Sequence, residues 1–171
     1  LEKKILAGFI ICSLILLVVA IISFQNSEKF VDTNQWVNHT HEVLYEFEEV
    51  MVNAVDAQAG ARGYIITGNE IYFEPFKNAS DNLVVHLNKA KELTRDNPSQ
   101  QRNIQTLDKL IKEHLDYLNT CLSLRKTEGF EKVQELIIEG RGKSILDEIR
   151  NTVGLSKEVE QNLLIKRKKE S

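Results

Sequence analysis

Residues 5–24 run for twenty positions without a charged side chain. A helix that is apolar all round belongs in a large core or a membrane, not on a wet surface. At about 1.5 Å per residue such a helix crosses the ~30 Å hydrocarbon layer of a bilayer. Lys3 and Lys4 stand immediately before the run, whereas Glu28, Lys29 and Asp32 follow it. That asymmetry predicts an N-terminus in the cytoplasm and the remainder of the chain outside. A cleaved signal peptide would carry an apolar stretch of about 7–15 residues ending at a small-x-small site. Here the run is longer and leads into Ser23-Phe24-Gln25-Asn26-Ser27, a poor cleavage site. The expected division is a cytoplasmic stub at 1–4, a transmembrane helix at 5–24 and an extracytoplasmic body at 25–171. The protein would sit in the cell membrane with one or two passes. Leu1 in place of Met and the charged stretch before Ser171 read as cuts, so the chain is expected to be the N-terminal portion of something longer.

Lys3, Lys4 and Glu2 precede the apolar run, so the body keeps 20 of the 22 basic and 24 of the 25 acidic residues, a net charge of −4. Nucleic acid is therefore not an expected partner, since it would call for a basic face. Lys166-Arg167-Lys168-Lys169 is a local exception. A cationic tract suits the C-terminal end of a helix dipole or a flank facing lipid head groups. Cys12 lies in the apolar run and Cys121 in the body, so the two cannot pair within one chain. Cys121 falls on an apolar stripe and reads as a small buried residue.

In the body, apolar residues recur at alternating three- and four-residue steps. Val37, Thr40, Leu44, Phe47, Met51, Ala54, Gln58, Ala61 and Ile65 form one seam, which predicts a helix over about 31–66 rising about 54 Å. A second seam holds Phe76, Ala79, Leu83, Leu87, Ala90 and Leu93, and a third Ile104, Leu107, Ile111, His114, Leu118 and Cys121. The fourth holds Leu146, Ile149, Val153, Ser156, Glu160 and Leu163. No alternation long enough for a strand interrupts them. Turns are expected at Gly68-Asn69, Asp96-Asn97 and Glu128-Gly129, with Pro75 and Pro98 at helix starts. The fold class is all-α: a transmembrane helix followed by an antiparallel four-helix bundle of long helices, broken near Gly140 and Gly142. Trp36, Val43, Val50 and Tyr64 lie at multiples of seven on helix one, a second stripe offered to a partner chain in a parallel homodimer. The competing reading is that helix one touches two neighbours within its own bundle.

The densest motif is Gly60-Ala61-Arg62-Gly63-Tyr64-Ile65-Ile66-Thr67-Gly68, preceded by Trp36-Val37-Asn38-His39-Thr40. Together with Gln58, and with the later stretch 140–150, it resembles the CHASE domain of the third type over about 35–167. That resemblance implies an extracellular sensory module, non-enzymatic in itself, of a bacterial membrane receptor, most often a histidine kinase. A chemoreceptor or a cyclic-nucleotide enzyme is the less frequent output. A membrane-tethered structural or adaptor bundle without a ligand is the alternative from another class. The chain shows neither a second membrane helix nor an output domain, and the signal, a small molecule or a state of the envelope, is not written in the sequence.

Arg62, Gly63, Tyr64, Thr67, Gly68 and Trp36 are the candidate site residues. Arg62 reads first as one half of an internal salt bridge, with Asp147 or a glutamate of the last helix as partner. The alternative is a bidentate grip on a carboxylate or phosphate ligand. Trp36, Tyr64, Tyr72, Phe73 and Phe76 read as core, with an aromatic-lined pocket as the other possibility. His39 and His41 lie on different helix faces without further ligands, so no metal is expected. Gly142-Lys143-Ser144 ends like a phosphate-binding loop, but Ile137 occupies the position of the required first glycine. No nucleophile, base and oxyanion set can be assembled, and no cofactor is expected.

Overall fold

A computed structural model describes the backbone of residues 2–170 and the side-chain surroundings of 8–10, 12–24 and 34–169. The described chain is all-helical: α1 (Glu2–Thr67), α2 (Phe73–Leu93), α3 (Pro98–Thr127), α4 (Phe130–Ile138) and α5 (Arg141–Glu170), with a 3-10 turn at Glu70–Tyr72 between α1 and α2. The apolar run and the first seam are thus one uninterrupted helix rather than two. Among the described residues no helix is long and apolar enough to cross a membrane. The expected span at 5–24 includes positions 5–7 and 11, whose side chains lie outside the described residues.

Helix boundaries follow local chemistry. Asn97 caps α3 by accepting from the Ser99 and Gln100 amides at 3.0 and 3.3 Å, while Pro98 fills the first helical position, where no amide partner is needed. Asn69 accepts from the Ile71 amide at 3.0 Å and starts the 3-10 turn. Gly129 and Gly140 bracket α4 with φ of +94° and +75°. Those values lie in the left-handed region, where a side chain would be strained. The expected break near Gly140 is therefore a joint between α4 and α5 with a left-handed glycine in it.

Cross-helix pairs set the directions. Gly60 meets Phe76 while Glu46 meets His86, so α1 and α2 run antiparallel. Gln100 meets Ser156 and Tyr117 meets Gly142, so α3 and α5 do the same. His114 faces Ala54 and Arg125 reaches Ile65, which makes α1 and α3 parallel. The four long helices enclose one core in which Phe47, Leu83, Leu107 and Ile149 are fully buried. Each such side chain contributes roughly 1.5–3 kcal/mol through burial. Thr40, Gln58, His114, Ser156 and Glu160 are buried at their seam positions as well. Three of the four residues of the second stripe of α1 are covered from within: Val43 and Val50 are fully buried and Tyr64 is 8% exposed, while Trp36 stays exposed. Val43, Val50 and Tyr64 pack inside the chain's own bundle.

A candidate binding site at the far end of the bundle

The turn after α1 brings together the last turns of α1, the start of α2, the end of α3, and α4. Its foundation is the absence of side chains at two positions. A Cβ at Gly60 would stand 2.8 Å from the Phe76 backbone nitrogen, and one at Gly63 would stand 2.5 Å from the Tyr72 ring. Helix α2 can therefore lie directly against α1. Tyr64 is buried there with its ring edge-on to Phe73 at 6.2 Å, and Phe73 is 6.0 Å from Phe76. Thr67 donates its hydroxyl to the Gly63 carbonyl at 2.7 Å and accepts from the Asn69 amide at 3.1 Å. Gly68 then takes φ +69° and ends the helix.

The cation that serves the end of α1 is one that sequence reasoning missed. Arg125 of α3 donates Nε to the Ile65 carbonyl at 2.7 Å, close beside Gly68. It satisfies one of the carbonyls that a helix C-terminus leaves without a partner. An arginine some sixty residues away gives no local signal of that role.

Arg62 is exposed and forms no ion pair among the described residues. Asp147, its expected partner, instead pairs with Lys143 and Arg150 on its own helix. The Lys143 hydrogen bond is the first cause holding the Asp147 carboxyl below its ordinary range. Trp36 lies at the opposite end of the bundle, 42% exposed. The Arg167 guanidinium sits 3.7 Å from its ring centroid and His39 meets it edge-on at 6.2 Å. Five of the six candidate residues thus share the far end, and Trp36 does not.

Two recesses flank that end. An open groove of about 640 Å³ runs between Tyr64 and Phe73 on one wall and Leu122 and Lys126 on the other. A smaller cavity of about 70 Å³ lies behind Arg62, against Gln58, Tyr117, Cys121, Ile137 and Lys143. Burial pushes the Tyr117 phenol up to about 12 and raises the Cys121 thiol, so both are neutral near pH 7. No nucleophile here has a base beside it. Among the described residues no group of three His, Cys, Asp or Glu side chains could hold a metal.

Long helices around one core, with recesses at the end of a continuous entry helix, make an all-helical bundle. The chain belongs to the CHASE3 domain family, which matches residues 33–170. No curated relative matches it. Among solved structures it is similar to the Rhodopseudomonas palustris histidine kinase HK9 sensor domain, at 23% identity and a TM-score of 0.69, covering 74% of this chain and 98% of that one. That likeness is one of fold.

Proposed function

We propose that this chain is the extracytoplasmic sensory input domain of a membrane receptor, with residues 1–4 in the cytoplasm, 5–24 as the membrane span and 25–171 as the sensing body. The observation that carries the reading is the continuity of α1, one helix over Glu2–Thr67. It joins the apolar segment to the recesses without a joint that would absorb a displacement. Phe9, Leu14, Ile15, Leu16, Leu17 and Phe24 are all more than half exposed, and lipid is the environment that suits them. The histidine kinase named in the similar structure supports the same kind of output here. A signal binding one of two helix arrangements more tightly would shift α1 against α5, and that shift would reach the membrane.

Receptors of this form would act as parallel pairs. Tyr45, Val52, Ala59 and Ile66 are exposed and fall every seven residues along α1. They offer a seam on the face opposite the buried one. Sedimentation of the intact chain in detergent is expected to show a dimer, and monomer at high concentration would remove the pairing. The reading frame beyond Ser171 is expected to hold a second apolar span of about twenty residues. A stop codon at that point would overturn the receptor reading.

A further inference from the structure

Gln58 occupies a core seam position where an apolar side chain would have sufficed. It is 6% exposed, its carboxamide makes no hydrogen bond among the described residues, and Oε1 is buried without a partner. Buried polar atoms in folded proteins almost always have a partner, so an orphan calls for a missing one. The group borders the 70 Å³ cavity shared with Arg62, Tyr117, Cys121, Ile137 and Lys143. At about 30 Å³ per water molecule, that space holds about two waters, and only a ligand of a few heavy atoms could take their place.

The walls favour a negative charge. Arg62 and Lys143 both border the space, and although Asp147 shares Lys143, the Arg62 guanidinium is uncommitted to any carboxylate. Tyr117 and Cys121 are neutral, and Glu139 is the carboxylate close enough to raise the Tyr117 phenol further. The carboxamide of Gln58 presents one donor and one acceptor whichever way it is turned. Ile137 of α4 forms an outer wall, and α4 hangs between the two left-handed glycines Gly129 and Gly140.

We propose that this cavity binds a short hydroxycarboxylate, its carboxylate on the Arg62 fork and its hydroxyl on Gln58, with Ile137 of α4 closing over it. This deepens the sensory reading and rests on it for its purpose, but the binding step stands apart from any output. The test is calorimetric titration of the intact chain in detergent with glycolate, with acetate as the analogue lacking the hydroxyl, at constant ionic strength. One-site saturable binding of glycolate is expected. It should weaken at least tenfold for acetate, for Arg62→Ala and for the near-isosteric Gln58→Leu, with partial recovery in Arg62→Lys. Thermal melts of each variant keep misfolding separate from lost binding. Absence of saturable glycolate binding, or binding equal in Arg62→Ala, would mean that the cavity holds only water. Binding retained in a full-length protein without signalling output would uphold this site and sink the sensory reading alone.

Discussion

The two halves of the bundle are held by different physics. Toward the far turn, α1 buries Ala54, Ala57, Gly60 and Ala61, and Gly60 lies directly against Phe76 of α2. Small residues let the helix backbones approach until little but a shifted backbone could separate them. Toward the Trp36 end, the core contains Thr40, Gln100, Ser156 and Glu160 instead. Gln100 shares Nε2 between the Ser156 carbonyl at 2.9 Å and Glu160 Oε1 at 2.8 Å. Thr40 Oγ1 and Gln100 Oε1 are buried without partners. Close packing gives the first half a single arrangement, whereas a polar layer with spare donors and acceptors permits re-pairing at small net cost. The half nearer the apolar segment is therefore the one whose hydrogen bonds have room to re-pair.

The most damaging way to break that contrast is in the polar layer. Gln100→Leu would leave the Glu160 carboxylate buried, 3% exposed, with its donor gone. A loss of about 2–3 kcal/mol is expected in urea unfolding. The double change Gln100→Leu with Glu160→Leu should return most of that loss, or exceed the parent. A double variant as weak as the single one would mean that the layer stabilises by shape rather than by hydrogen bonding.

Next in size is the glycine seam. Ala at Gly60 would gain about 1 kcal/mol of helix propensity, but its Cβ would press on the Phe76 backbone, which cannot rotate away. A net loss of about 1–2 kcal/mol is expected from overpacking. Ala at Gly63 meets the Tyr72 ring, which is 37% exposed and can swing outward, so its melting temperature should stay near the parent's. Equal effects at the two positions would contradict the claim that backbone contact fixes this half.

A smaller and pH-dependent effect belongs to His114, which lies between the two halves. It is fully buried, Nε2 is 3.4 Å from the Ala54 carbonyl, and Nδ1 has no partner. Burial lowers its pKa from the ordinary 6.5. The unfolded chain then takes up a proton below about pH 6.5 that the folded chain refuses, so stability falls as pH falls. The limiting slope is about 1.4 kcal/mol per pH unit per proton. His114→Leu should remove that part of the slope between pH 7 and 5. An unchanged difference between the two pH values would show that His114 titrates alike in both states.

The smallest expected change is at Arg62. Exposed and without an ion pair, it should alter stability by less than about 0.5 kcal/mol when replaced by Ala. A loss of 3 kcal/mol or more in chemical denaturation would restore the internal salt bridge that the sequence suggested.

Much of the architecture was legible because it is local. The three turns fall where glycine, asparagine and proline place them, and the four seams are the faces found in the core. Periodicity reports which side of a helix is buried without reporting against what. The stripe through Val43, Val50 and Tyr64 was for that reason ambiguous between a second copy and the chain's own helices. The exposed series Tyr45, Val52, Ala59 and Ile66 has the same period, so periodicity alone does not say which of the two stripes the core takes.

The sequence by itself determined the four core seams, the turns between them and the family, since capping and three-and-four spacing act within a few residues, but not that the apolar run and the first seam are one helix. The partners of Asp147 were also local: Lys143 and Arg150 stand one turn away on its own helix, and neighbours on a helix face need no docking to meet. Only the tertiary structure decided the partners that other helices supply. Arg125 rather than Arg62 came to the end of α1. Gln58 became an orphan beside a cavity. Those outcomes depend on how four helices register against one another to within an ångström, and no spacing along one chain encodes that distance.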